Sequence, residues 1–346
     1  MSYRLEKKIH ILWAVDIICE PEAHILQTVQ FLKTIEERVE CEIQPVYLLH
    51  ANQGSSESFN ISLYSPEDVT GQTSESKKKA ALKAFESLNL KSKLNSLGPL
   101  HVLIDSHVSF GNALKEFSRY VSEIGADFII ANTHAKRGLD KFLLGSFVES
   151  FVPISKIPVL VLNPKQSHFH SFQSLLFATD FSQHSWDALD YTVDLAKAMG
   201  LKIFLFHEVE NILEPVASTG YALTGGMVSS ISEKRAKECE DNLNEWAERV
   251  SKKGVSCTPC LFSFPGDVEK SILEEAQAKK VSLIGMASQS TKFSSFFSRS
   301  IAKGVFREAY SPVLVFGPQF KKEDKYKNRT QEIETDFLTD ESGGAL

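Results

Sequence analysis

The chain reads as an α/β protein made of two tandem doubly wound domains, each a five-stranded parallel sheet. Three observations support this. Its 346 residues exceed an ordinary domain of about 100–200 residues. Near-continuous apolar runs alternate with amphipathic segments, the pattern of parallel strands covered by helices on both faces. One ordered set of segments also occurs twice.

The repeat is visible in four pairs of segments. IHILWAVDII (9–18) matches SLLFATDFSQ (174–183), each an apolar run ending in an Asp, Asp16 and Asp180. IQPVYLLH (43–50) matches KIFLFH (202–207), each ending in a His. VSFGNALKEFSRYVSEIGADFIIA (108–131) matches FSFPGDVEKSILEEAQAKKVSLIG (262–285). IPVLVLNP (157–164) matches SPVLVFGP (311–318). The offsets are 164 at the Asp pair, 157 at the His pair, 155 from Gly111 to Gly266 and 154 from Pro158 to Pro312. Most of the difference lies between the first Asp and the first His. Seven residues add about two turns at 3.6 per turn, so a longer first helix in the first half is expected, with a longer loop as the alternative.

Strands are expected at 9–16, 43–49, 100–105, 127–132 and 158–162, and again at 174–180, 202–207, 256–262, 281–286 and 312–316. Helices are expected near 22–39, 66–96, 111–124 and 145–152, then 183–199, 229–253, 266–279 and 299–309. Ser182, ahead of a helical pattern, has the chemistry of an N-cap. The polar stretches 51–76 and 214–231 read as loops and 163–172 as a linker. Two domains, 1–166 and 167–318, are followed by a charged tail, 319–346.

Composition excludes several classes. Hydrophobic residues at 42% and charged residues at 24% are globular values. A net charge of −6 gives no general attraction for nucleic acid or anionic lipid. No apolar run approaches the roughly 18 residues of a membrane span. Met1 to Lys8 form no signal peptide, so the chain is expected in the cytoplasm with its five cysteines as thiols. The 24 phenylalanines read as core.

The order of strand-ending Asp, strand-ending His, helix-opening Gly, a further strand, a Gly-Ser step and a final Pro-Val-Leu-Val strand resembles a tandem universal stress protein. The resemblance covers roughly 9–164 and 173–318. It is closer at the front of the second half (ATDFSQHSWDALDYTVDLAKAMGLKIFLFHEV) and at the back of the first (LDKFLLGSFVESFVPISKIPVLVLNP). It implies an adenine nucleotide alpha-hydrolase-like fold with strand order 3-2-1-4-5. Some members of that family bind ATP and others do not. Binders resemble one another in a G-x2-G-x9-G-[S/T] loop after the fourth strand, where glycines let backbone N–H groups approach phosphate.

In the first half that loop reads Asn132, Ala135, Gly145 and Ser146, so only its last Gly-Ser step survives, with Asp16 as the strand-ending carboxylate. These five form the candidate site for ATP or another adenine nucleotide, and Lys136 and Arg137 stand nearby. In the second half the same positions hold Met286, Gln289, Arg299 and Ser300, so no nucleotide is expected there.

Other features carry less. Cys257-Thr-Pro-Cys260 lies on a predicted strand rather than at a helix N-terminus, so buried thiols are expected and no metal or redox role. His50 and His207 read as rim residues, His134 as a loop residue, and Lys77–Lys79 as a solvated helix face. No catalytic residues are assigned: G-x-S-x-G, P-loop, HExxH and GxGxxG motifs are absent. The apolar edge segments 158–162 and 312–316 are expected to pair within the chain, leaving a monomer or a homodimer. The expected function is a non-catalytic stress-response ligand sensor or interaction module. An ATP-binding member with slow hydrolysis or phosphate transfer, and a non-binding scaffold, are the alternatives.

Overall fold

The computed structural model describes residues 8–18, 20–50, 74–105, 110–133, 146–163, 172–209, 225–263, 267–288 and 301–322. The chain divides into two compact units, one built on residues 6–164 and the other on 165–288 and 296–315. In the first, β1 (Ile9–Ala14), β2 (Cys41–His50), β3 (His101–Asp105), β4 (Phe128–Asn132) and β5 (Val159–Leu162) run parallel in the order β3-β2-β1-β4-β5. In the second, β6 (Ser174–Ala178), β7 (Lys202–Glu208), β8 (Cys257–Phe262), β9 (Leu283–Ala287) and β10 (Val313–Phe316) repeat that order as β8-β7-β6-β9-β10.

These residues form parallel strands because both faces can be apolar. Ile9, Ile11, Leu12 and Trp13 are all buried in β1, and every residue of β4 is buried. Pro45 is tolerated inside β2 because its missing N–H faces the side where the β3 ladder starts only at Val46. Pro259 lies on β8, an edge of its unit's sheet.

Helices α1 (Glu22–Glu36), α2 (Ser74–Ser87), α3 (Phe110–Glu123) and α4 (Ser146–Phe151) belong to the first unit. Helices α5 (Gln183–Met199), α6 (Gly225–Lys252), α7 (Val268–Ala278) and α8 (Ile301–Glu308) belong to the second. The stripe Ile25, Val29, Leu32 and Ile35 buries α1 against its sheet at helical spacing. Phe31, Phe117, Phe128 and Phe151 are fully buried in the first unit, and Phe177, Phe206 and Phe306 in the second, so phenylalanine supplies much of the core.

Three expectations need correction. The first helix is not the longer copy: α1 has 15 residues and α5 has 17. Pro21 at the N-cap delays the start of α1, whereas Ser182 starts α5 three residues after Asp180. The seven extra residues lie elsewhere. Ala14 pairs with Val46, 32 residues on, and Ala178 with Phe206, 28 on, so four lie in the stretch ahead of β2 and three separate Tyr47 from His50. Second, α2 ends at Ser87 rather than near 96. Asn89 turns the backbone left-handed (φ 48°) into a short 3-10 turn, Leu90–Ser92. Ser74–Ser76 are helical, and 66–73 lie outside the described residues with the rest of the 51–76 segment. Third, Gly225 and Gly226 open α6 rather than closing a loop. Residues 164–171, most of the linker, and 323–346, most of the tail, are also outside the described residues.

Gly285 on β9 lies opposite Phe177 of β6. A Cβ there would sit 2.8 Å from the buried Phe177 ring. Gly285→Ala is therefore expected to destabilise the second unit by roughly 1–3 kcal/mol through overpacking, measured by urea unfolding.

Candidate functional site

In each unit the chain leaves the first strand toward one side of the sheet and later returns on the other. This leaves a crevice at the carboxyl ends of β1 and β4, and of β6 and β9. Asp16 follows β1 by two residues and Asn132 ends β4, so the fold brings two of the five candidate residues to one crevice. Both line a small cavity of about 50 Å³ together with Tyr47, Phe117 and Phe147. Phe117 meets Phe147 and Phe151 edge-on at 5.1 and 5.0 Å, and Phe147 stacks on Phe151 at 5.3 Å. Ligand pockets usually hold about 300–1,000 Å³, so an occupant has to displace part of this aromatic wall.

Asp16 closes its own turn. Its Oδ1 accepts from the Ile18 N–H at 3.3 Å, and its carbonyl accepts from the Glu20 N–H at 2.9 Å. That turn delivers Glu20, which the sequence did not single out, into the interior. Glu20 is only 6% exposed. Asn132 donates through Nδ2 to Glu20 Oε1, and to Thr28 Oγ1 on α1 at 2.8 Å. The Asn132 amide is therefore turned onto the Glu20–Thr28 pair and its N–H groups are spent there. It is an anchor beneath the crevice, not a glycine-like cradle, and its backbone continues the β4–β5 ladder opposite Leu162.

Burial pushes the Glu20 carboxyl up to about 8. The Asn132 hydrogen bond opposes that shift and the nearby Asp16 carboxylate adds to it. Glu20 is thus largely a neutral acid at pH 7. Local pattern gave no signal for this, since Cys-Glu-Pro-Glu ahead of a helix has the composition of a solvated turn.

Ala135 and Gly145 lie outside the described residues, as do His134, Lys136 and Arg137. Ser146 is the first residue of α4, and only its backbone is described.

The second unit uses the same backbone differently. Asp180 Oδ1 accepts from the Ser182 N–H at 3.0 Å and from the Ser182 hydroxyl at 2.6 Å. Ser182 Oγ in turn accepts from the Ser185 N–H at 3.1 Å, so Ser182 is the helix cap. Phe181 between them is left-handed, φ 58°. Its ring lies 4.2 Å from His207 and 5.4 Å, edge-on, from Trp246. Trp246 meets Trp186 at 4.8 Å, and the Arg249 guanidinium lies 5.2 Å over Trp186. His207 Nδ1 donates to the Thr179 carbonyl at 2.8 Å.

Ladder pairing revises two sequence matches. Ala14 faces Ala131 while Ala178 faces Met286, so the counterpart of Asn132 is Ala287, and Met286 is a buried core residue. Val46 corresponds to Phe206, so the counterpart of His207 is Tyr47 and not His50. Gln289, Arg299 and Ser300 lie outside the described residues.

Cys257 and Cys260 are half-buried on β8 rather than fully buried. Burial pushes Cys257 up to about 12, with Cys260 adding to it, and pushes Cys260 up to about 11, with Glu275 adding. Among the described residues no group of three or more His, Cys, Asp or Glu is arranged to hold a metal ion, and no helix is long and apolar enough to cross a membrane.

The model of the Universal stress protein family matches the chain twice, at residues 21–163 and 171–317. The crystal structure of a universal stress protein from Archaeoglobus fulgidus DSM 4304 superposes with a TM-score of 0.55 at 18% identity, covering 89% of this chain and 96% of its own. A putative universal stress protein from Pseudomonas aeruginosa UCBPP-PA14 superposes with a TM-score of 0.52 at 14% identity, covering 90% and 93%. These likenesses concern the fold. No curated protein matches.

Two outcomes follow from the local geometry. Ser182→Ala removes a cap and is expected to destabilise the second unit by about 1 kcal/mol in thermal unfolding. In the folded chain Cys257 and Cys260 should react with a disulfide reagent at pH 7.5 at least about tenfold more slowly than in denaturant, because the thiolate is the reacting form.

Proposed function

The chain belongs to the universal stress protein family, and from that premise we propose that it is a non-catalytic ligand sensor of the stress response. In this reading it works in the cytoplasm, with a degenerate adenine-nucleotide site in its first unit. The observation that carries the reading is the placement of Asp16 and Asn132 together at the switch-point crevice, beside the ring wall of Tyr47, Phe117 and Phe147. Asp16 offers a carboxylate to the base and ribose end of the ligand. Ala135, Gly145 and Ser146 are proposed to complete the phosphate end.

The small volume of the crevice gives the mechanism its form. A ligand that enters displaces Phe147, which opens α4, so binding and rearrangement are one event and the ligand shifts a population of conformers. The second unit is proposed to be structural, its crevice mouth carrying its own Phe181 and His207 rings.

Calorimetric titration of the full chain with ATP, ADP and AMP tests this. Binding is expected, weakened at least about tenfold by Asp16→Ala and by Gly145→Arg, as for loss of a charged hydrogen-bond partner or a steric block. Asp180→Ala should leave it unchanged, and phosphate release should stay at the blank. Absence of heat with all three nucleotides at millimolar concentration would reject the site, and phosphate release above the blank would reject the non-catalytic reading.

A further inference from the structure

Glu20 and Asn132 occur together in one unit and are both replaced in the other. The residue four past Asp180 is His184, and the counterpart of Asn132 is Ala287, which has no amide to offer. Thr28, by contrast, keeps its counterpart Thr192, and each hydroxyl donates to the carbonyl four residues earlier in its helix, at 3.1 and 2.7 Å. The acid and the amide thus behave as a unit added to a shared frame. Glu20 Oε1 takes the Asn132 N–H, whereas Oε2 is buried with no side-chain hydrogen-bond partner among the described residues.

A carboxyl buried in this way is stable only when neutral or paired with a cation. Among the described residues, the charged group that acts on it is Asp16, of the same sign, across the β1–α1 turn, while a hydrogen bond to the Asp16 backbone acts the other way. On β4 it meets the Asn132 amide, which Thr28 of α1 also holds, and Glu22 and His24 are the titratable side chains in the first turn of α1. Ionising Glu20 in place would bury a second negative charge beside Asp16.

We propose that Glu20 is a proton-controlled latch on the first-unit crevice: protonated, it holds the β1–α1 turn against Asn132, and on losing its proton it leaves for solvent and releases that turn. Glu20 is a positioning residue, acting on Asp16 through the turn and on the β4 end through Asn132. As regulation of a ligand site, the proposal rests on the reading of this crevice given above, but the latch itself is measurable without ligand.

The sign is set by the direction of the shift. The folded state holds the Glu20 proton up to about pH 8, whereas an unperturbed carboxyl releases it near 4.5. The folded state therefore binds more protons across that interval. The stabilisation is complete below the lower value and is lost as pH rises through about 8.

The test is hydrogen exchange by mass spectrometry on the full chain from pH 6.5 to 9.5, corrected for intrinsic rates. Peptide 14–28 reports the latch, and peptide 178–192 serves as internal control. Wild type should show an opening of 14–28 that grows about tenfold between pH 7 and 9, with the control flat. Glu20→Gln, a neutral isostere, should stay within about twofold across the range and open less than wild type throughout it. Should that variant misfold, Asp16→Asn serves instead: removing the like charge should move the wild-type midpoint to lower pH. A flat wild-type profile, a Glu20→Gln profile that rises like wild type, an equal rise in the control peptide, or an unmoved midpoint in Asp16→Asn would each overturn the latch. In a separate arm, ATP affinity at pH 6.5 and 9 should fall in wild type and hold in Glu20→Gln. If no ATP binds at either pH while the exchange transition stands, the ligand reading fails and the latch survives.

Discussion

Two-sided burial governs both units. A parallel strand between two helical layers has no solvent face, so β1, β4 and β9 are apolar almost throughout. Polar chemistry is displaced to the residues just past the strand ends. Asp16 and Asp180 lie beyond those ends, Asn132 at one and His207 a residue inside another, where a polar side chain still finds groups to bond. The same constraint explains why a few positions at each carboxyl edge could change role while the sheet beneath them did not.

The two units show what that freedom permits. Both strand-ending aspartates close a turn with the amide two residues on, at 3.3 and 3.0 Å. Beyond that shared bond the units diverge. The first turn carries Glu20 inward to Asn132, while the second ends in a serine cap beneath a row of rings. The first crevice adds the buried acid Glu20 to its ring wall, while the second turn is surrounded by rings.

Periodicity and repeat arithmetic made all ten strands legible, because apolar runs bounded by polar turns report two-sided burial directly. They did not report register. Met286 and Ala287 are adjacent, and which one stands opposite Ala178 is decided by inter-strand hydrogen bonds that composition does not encode. His50 and His207 matched as letters, but β2 extends farther past its pairing point than β7 does, so Tyr47 occupies the equivalent place. At the candidate site, Asp16 was legible as a strand-ending acid. Glu20 was not, because its burial depends on Asn132, 112 residues away, and a local window treats a Glu before a Pro as solvated. The α1 length failed for a related reason: the offset arithmetic counted the extra residues correctly, but only Pro21 says where the helix begins.

Phe181 also bears on how the two units can change over generations. Its left-handed backbone is costly for a bulky residue, on the order of 1–3 kcal/mol, and is sustained by the contacts its ring makes with His207 and Trp246. A glycine at 181 would relax the backbone but strand those two rings, and replacing either ring alone would leave the strain uncompensated. Each substitution taken singly is thus unfavourable, which makes this arrangement of the second turn historically entrenched. The first crevice, whose wall has no such backbone lock among the described residues, keeps short mutational routes to new ligands.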